Sequence, residues 1–377
     1  MKQTEPLQIT DMQDVRGKRV LVRVPFDLPM NDGKVQSTFR IVRSLPTITH
    51  LMLAGAKVIL ISHIGRDPKN TFEPIVPTLR TYLDFTYIPA LFGEAVDTAL
   101  LKMQEGEVVL LENLRTDPGE EKNDEEFARA LAQYADYYVN DAFSVSHRNH
   151  ASVIGIPKYL PSFAGVAFAE ECVELKKTFT PEHPSLFILG GAKFETKEPL
   201  ISEYARHYTH VFIGGALAND FLKAKGMPVG ESLLSDVPLK GNPLMERKNI
   251  IIPVDVVVLG DDGKREVLDE HVLPHEKILD IGPRTMDALE PIIMEAKTIL
   301  WNGPLGNYEA GFDDATKRCA EMIARSGAHA VVGGGDTVTA IEELGIMESF
   351  GFVSTAGGGM LNFLEHKTLP GIEALKQ

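Results

Sequence analysis

The chain has 377 residues, 44% hydrophobic and 24% charged, a composition that belongs to a soluble globular protein and a length that leaves room for two domains. A formal net charge of −15 argues against nucleic acid as a partner, because binders of that polyanion carry a basic face. No apolar run approaches the roughly 18 residues of a membrane helix, the start Met1-Lys-Gln-Thr-Glu-Pro has no signal-peptide core, and Cys172 and Cys319 stand in neither a CxxC nor a metal-ligand spacing, so a cytoplasmic protein with two packing thiols is expected.

Charge is unevenly divided. Residues 1–164 hold 18 Lys+Arg against 21 Asp+Glu, a net of −3, and residues 165–377 hold 20 against 32, a net of −12, so positive charge is relatively concentrated in the first half. That half alternates short β-branched runs with polar turns and helical spacing. Runs 19–23, 57–62, 107–112 and 137–140 read as buried strands, and 41–54 and 125–135 as helices. Such alternation predicts a parallel sheet covered on both faces, with ligands collecting beyond the carboxyl ends of its strands.

Those ends carry basic side chains. Arg23-Val-Pro-Phe-Asp27 follows the first strand and Arg40 opens the first helix. Ser62-His-Ile-Gly-Arg66 follows the second strand, Glu112-Asn-Leu-Arg115 the third, and Asn140-Asp-Ala-Phe-Ser-Val-Ser-His-Arg-Asn-His150 the fourth. Arg23 or Arg40, His63, Arg66, Arg115, His147, Arg148 and His150 are thereby candidates for one crevice, and a guanidinium fork suits a multiply charged phosphate or carboxylate. His147-Arg-Asn-His150 lacks the third ligand a metal would need.

A helix is expected over 162–177, on the apolar stripe Phe163, Val166, Phe168, Ala169, Cys172, Val173 and Leu175. Thr178-Phe-Thr-Pro-Glu-His-Pro184 then marks the domain joint. Beyond it the architecture repeats, with strand runs at 185–192, 210–216, 250–258, 297–304 and 328–335, four of the five ending in glycine. Lys193 and Lys197 lie just past the first, four apart and on one face if helical, where they could neutralise a transferring phosphoryl group.

The stretch Ala330-Val-Val-Gly-Gly-Gly-Asp-Thr-Val-Thr-Ala-Ile-Glu-Glu-Leu344 reads as a strand-turn-helix joint whose bare N–H groups can hold a phosphate. Asp336 could carry Mg²⁺ there, and Thr337 could cap the helix or donate to phosphate. Taken alone the stretch also fits a plain tight turn. Neither GxxxxGK[ST] nor GxGxxG occurs, which disfavours a P-loop NTPase and a nicotinamide dehydrogenase. The tail from Phe352 reads as a last strand, a glycine turn, a short helix, and an extended segment over 367–372 that packs back across a domain.

Together these motifs resemble the phosphoglycerate kinase family along essentially the whole chain. The resemblance rests on Leu21-Val-Arg-Val24, Ser62-His-Ile-Gly-Arg66, Leu111-Glu-Asn-Leu-Arg115, Asn140-Asp-Ala-Phe143 and His147-Arg-Asn-His-Ala-Ser152 in the first half. In the second it rests on Leu189-Gly-Gly-Ala-Lys193, Gly214-Gly-Ala-Leu-Ala-Asn219, Asp280-Ile-Gly-Pro283, Trp301-Asn-Gly-Pro304, Gly333-Gly-Gly-Asp-Thr337 and Lys367-Thr-Leu-Pro-Gly-Ile372. It implies an α/β protein of two Rossmann-like, doubly wound parallel-sheet domains joined by a connecting helix and hinge. Residues 1–164 with 366–377 would bind phosphoglycerate, and 165–365 would bind nucleotide.

The implied activity is phosphoryl exchange between ATP and an acyl phosphate of glycerate, in a monomer with Mg²⁺ as cofactor. Arg40, His63, Arg66, Arg115 and Arg148 would hold the glycerate, with Arg23, Asp27 and His147 at the same site. Lys193, Lys197, Asn302, Glu309, Gly333, Gly334, Gly335, Asp336 and Thr337 would hold the nucleotide, with Gly214 and Gly215 near the adenine and Asp336 on the metal. Arg40, Lys193 and Gly335 would serve the transfer itself.

Several positions depart from the family pattern. Pro25-Phe-Asp27 replaces Asp-Phe-Asn, so a carboxylate is lost at Pro25 and Asp27 brings a charge that repels an anionic substrate unless it pairs. Asp67 stands where proline is usual, Glu195-Thr-Lys-Glu198 replaces Ser-Asp-Lys-Ile, and Asn307 and Met360 replace residues near the nucleotide and hinge. A phosphotransferase for another small acid, or a non-catalytic protein retaining the fold, are the competing readings.

Overall fold

The computed structural model describes residues 5–31, 33–236, 239–261 and 263–376. They form two compact units, Met1–Val173 with His366–Gln377, and Glu174–Glu365.

In the first unit six parallel strands make one sheet: β1 (Arg19–Arg23), β2 (Lys57–Ile61), β3 (Thr86–Tyr87), β4 (Val108–Leu110), β5 (Tyr137–Asn140) and β6 (Ser162–Ala164), in the order β3-β4-β2-β1-β5-β6. The central strands are apolar on both faces because both are covered. Val20, Val22, Val58 and Leu60 pack with Ile48 and Leu51 of helix α1 (Phe39–Leu53), all essentially without solvent exposure. Since β1, β2, β4 and β5 run the same way in register, the residues following them emerge at one sheet edge.

Two expectations fail here. The helix expected over 162–177 is strand β6 followed by helix α2 (Val166–Lys177): Ser162, Phe163 and Ala164 pair with Tyr138, Val139 and Asn140, and Gly165 separates the two elements. A Cβ at Gly165 would stand 2.2 Å from Asp141 Oδ1, so only glycine fits between them. Contacts divide the chain at Val173 and Glu174, so most of α2 packs with the first unit. Of the segment 367–372 expected to be extended, the second half instead opens helix Pro370–Leu375, begun by a proline whose missing N–H costs nothing at that position. The N–H of Gly371 donates to Ser146 O at 2.8 Å.

The second unit repeats the parallel sheet with β7 (Ser185–Leu189), β8 (His210–Ile213), β9 (Ile250–Ile251), β13 (Thr298–Asn302), β14 (His329–Gly333) and β15 (Phe352–Val353), in the order β9-β8-β7-β13-β14-β15. The numbers missing from that order are an antiparallel sheet that sequence reading did not foresee: β10 (Asp255–Gly260), β11 (Gly263–Leu268) and β12 (Lys277–Ile281), with β10 central. The run 250–258 is therefore two strands in two sheets. Pro253 cannot donate to a ladder, and the chain turns there, with Val254 N donating to Thr285 Oγ1.

Candidate active site

At the carboxyl edge of the first sheet Asp27 bears on His63, Arg40 and Arg148, and Arg115 bears on His63 and Arg148. Asp27 Oδ1 accepts from Gly65 N at 2.8 Å, Asp27 Oδ2 faces His63 Nε2 at 3.4 Å, and Arg40 Nη1 donates to the Asp27 carbonyl. Burial alone would raise the Asp27 carboxyl, but His63, the Gly65 N–H and the Arg40 charge outweigh it and hold it at about 2. Burial, aided by the nearby Arg23 charge and opposed by Asp27, holds His63 at about 4, so the ring is neutral at pH 7. The neutral ring faces Asp27 across 3.4 Å as a dipole, and the full ion pair is not present at that pH.

Arg115 is 7% exposed; its Nη1 donates to Gly65 O and its Nε lies 3.0 Å from Glu121 Oε1. Arg148 is half-buried and feels the charges of Arg115, Asp27, Glu121 and Arg66, which places all five in one field, and Arg66 itself is exposed. Asn113 shapes the turn: its Oδ1 accepts from Ile64 N and Arg115 N, and its Nδ2 donates to Ile64 O and Asn70 O.

Arg23 behaves differently from the expectation of a ligand. Only 1% exposed, it directs its guanidinium inward to Ser152, Ser62, the Val24 carbonyl and His63 Nδ1, because a strand's last residue here points into the layer beneath the edge. His150 turns to Glu120, 3.7 Å away, and half-buried His147, lowered by burial and then by the Arg148 charge, is also influenced by Ser144 and His150 but not by Asp27, His63, Arg40 or Arg115. Glu120 and Ser152, both fully buried, were missed by sequence reading; nothing in their spacing separates them from ordinary polar residues.

The second unit contains a cavity of about 520 Å³ lined by Gly191, Gly215, Pro304, Leu305, Glu309 and Asp336 among others. Glycine is required where its walls meet. Gly215 has φ +60°, and a Cβ there would lie 2.5 Å from Gly191 N. Gly214 is buried behind it. Lys193 and Lys197 do not share a helix face: Lys193, exposed at φ +65°, precedes a single 3-10 turn, and Lys197 precedes the helix Glu198–His207. They are nevertheless neighbours. Burial first, and then the Lys193 charge, lowers the Lys197 ammonium, which donates to Ala192 O.

The glycine-rich joint divides its labour. A Cβ at Gly333 would meet Met360 Sδ at 2.3 Å, so that glycine serves packing, while Gly334 at φ +108° makes the turn and Gly335 opens the helix Gly335–Glu343 with nothing near its Cβ position. Thr337 is fully buried and its Oγ1 has no hydrogen-bond partner among the described residues. Asn302 is 4% exposed with Nδ2 on Met360 Sδ at 3.4 Å. Burial, reinforced by the Glu309 charge, raises the Asp336 carboxyl, and no ion pair satisfies it among the described residues.

A sequence model of phosphoglycerate kinase matches residues 9–367. The chain belongs to the phosphoglycerate kinase family. It is accordingly a phosphotransferase of glycolysis. Phosphoglycerate kinases of Fervidobacterium nodosum and Sinorhizobium medicae are each 41% identical to it, over 98% of both chains. The crystal structure of phosphoglycerate kinase from Pyrococcus horikoshii superposes with TM-score 0.86 at 31% identity, and the structure from Coxiella burnetii with 0.81 at 32%; each comparison covers 98% of both chains. In the family's terms, the replacement at Pro25-Phe-Asp27 has brought in a carboxylate that finds partners on this chain.

Proposed function

We propose that the first unit's arginine edge holds phosphoglycerate, that the second unit's glycine-turn cavity holds Mg-nucleotide, and that the chain moves a phosphoryl group reversibly between 1,3-bisphosphoglycerate and ADP. The observation that supports this most is the gathering of His63, Arg40, Arg115 and Arg148 beyond the ends of parallel strands, since guanidinium forks at such an edge suit an anion bearing both carboxylate and phosphate. Arg40 and Lys193 neutralise charge on the phosphoryl group in flight, and the Gly335 N–H at the helix start holds phosphate oxygen. An acyl phosphate carries its own good leaving group, so positioning and charge suffice and no general base is needed.

Asp336 fits the divalent ion the family uses: a partly desolvated carboxylate with no ion pair among the described residues, next in sequence to a Thr337 hydroxyl that is also unpartnered there, is the kind of donor that shares Mg²⁺ with phosphate oxygens and water. When bound, that ion neutralises the nucleotide phosphates. Within the chain, Lys197 and Lys193 keep the phosphates oriented, and the apolar wall of Pro304 and Leu305 receives the base.

We place the enzyme in the cytoplasm as a monomer; no helix among the described residues is long and apolar enough to cross a membrane. The deciding assay is ATP formation from ADP and 1,3-bisphosphoglycerate with Mg²⁺. Turnover supports the reading, activity confined to another acyl phosphate selects a different small acid, and nucleotide binding without turnover on any acyl phosphate overturns it.

A further inference from the structure

Behind His63 lies a chain of buried polar groups. Glu120, 0% exposed, accepts from Ser152 N at 2.9 Å and from Ser152 Oγ at 2.6 Å. Ser152 Oγ in turn accepts from Arg23 Nε at 3.1 Å, and Arg23 Nη2 stands 2.7 Å from His63 Nδ1. Arg23 Nη1 donates to Val24 O at 2.6 Å and Ser62 Oγ at 3.2 Å, which leaves the guanidinium little freedom to turn.

The chemistry of the guanidinium decides the direction of the chain. It has five donors and no acceptor, so the short contact to His63 is a hydrogen bond only if Nδ1 is unprotonated. The ring proton must then sit on Nε2. That atom is buried, has no hydrogen-bond partner among the described residues, and faces Asp27 Oδ2 at 3.4 Å, farther than a good hydrogen bond reaches. A desolvated donor without a partner is costly, and an incoming anionic oxygen would relieve it.

We propose that Glu120 and Ser152 are positioning residues for the phosphoglycerate end of the reaction: acting through Arg23, they lock His63 as the neutral Nε2–H tautomer with its one donor aimed at substrate oxygen. The proposal rests on the assignment of phosphoglycerate to this edge. Glu120 supplies the countercharge that lets Arg23 remain charged in a buried layer, and Ser152 fixes the plane of its fork. Four charged groups bear on the ring. Arg23 and Arg115 disfavour its protonation, Asp27 favours it, and Glu120 acts on it through Arg23; burial adds to the arginine side.

Ring-nitrogen NMR of His63 in the wild-type protein tests the lock without any ligand. An unprotonated Nδ1 and a protonated Nε2 throughout about pH 5 to 8 are expected, and a ring protonated on Nδ1, or titrating near the ordinary histidine value, overturns the proposal. Ser152→Ala, which removes one hydroxyl and leaves both charges, should mix the tautomers and raise KM for phosphoglycerate about tenfold while KM for nucleotide stays put. Arg23→Lys should do the same, since one ammonium cannot serve Ser152 and His63 together. An unchanged tautomer and KM in a folded Ser152→Ala protein overturns the relay; if either variant does not fold, the wild-type spectrum still decides. A wild-type ring with the expected signature but no phosphoglycerate binding would instead remove the substrate assignment, and with it any role for the lock.

Discussion

Replacing Asp27 by Asn separates two effects that usually travel together. The carboxyl is held at about 2 against an ordinary 3.8, which unscreened corresponds to about 2.4 kcal/mol of native-state stabilisation. Its side chain is 39% exposed, so solvent screening reduces that to about 1 kcal/mol. Asn retains an acceptor for Gly65 N–H, and the loss is thus confined to charge. Because the native value is depressed, the stabilisation is fully present above the unfolded value near 3.8 and disappears as pH falls through about 2. Urea unfolding of the two proteins at pH 7 should differ by about 1 kcal/mol in favour of the wild type, with the gap closing on acidification. The same substitution removes an anion from a site that receives anions: like charges several ångströms apart at an exposed site repel by about 1 kcal/mol, so KM for phosphoglycerate should fall about fivefold. A variant that is as stable as wild type at pH 7, or that binds phosphoglycerate more weakly, would refute the view of Asp27 as an internal counterion.

Arg40→Ala should lower kcat at least tenfold, about 1.4 kcal/mol of transition-state stabilisation, in the ATP-forming assay; an unchanged rate removes Arg40 from the transfer. Gly215→Ala forces a side chain into φ +60° with backbone 2.5 Å from its Cβ, so it should cost about 2 kcal/mol or more in denaturant unfolding and raise KM for nucleotide. Burial raises Asp141 to about 7 despite hydrogen bonds from the Phe168 N–H, Thr47 and Ala167 and the Arg43 charge. The native state thus holds a proton that the unfolded chain has lost between about 3.8 and 7, and stability should decline as pH rises through that window and stay lower above it. Asp141→Asn should abolish that decline and raise Tm at about pH 8 relative to wild type.

Much of this protein was legible before any coordinates. Apolar runs such as Arg19–Arg23 and Tyr137–Asn140 are strands over the residues expected, because a strand covered on both faces has to be apolar throughout and is bounded by turn residues. Short runs were the weak point. Apolar spacing at 162–177 suits a helix as well as a strand plus a helix, and pairing with β5 decides in favour of the strand. The antiparallel sheet β11-β10-β12 was hidden because its outer strand Gly263-Lys-Arg-Glu-Val-Leu268 is largely polar, and its place depends on β10 beside it.

For the site, the sequence alone determined which chemistry was available: arginines and histidines after successive strands, glycine turns followed by lysines and an aspartate, and a family pattern carried by many short motifs in order. Tertiary structure decided which of those groups face outward. Arg23 and Arg40 are equivalent in sequence, yet one is the anchored base of His63 and the other lies beside Asp27. It also decided that the Asp27 carboxylate is met by the Gly65 N–H and the Arg40 charge, and that Glu120 and Ser152 stand behind the site at all. The reason is physical: residue type and spacing fix donors, charges and local backbone, whereas burial and hydrogen-bond partners depend on segments such as 23, 63, 120 and 152 that meet only when the sheet is assembled.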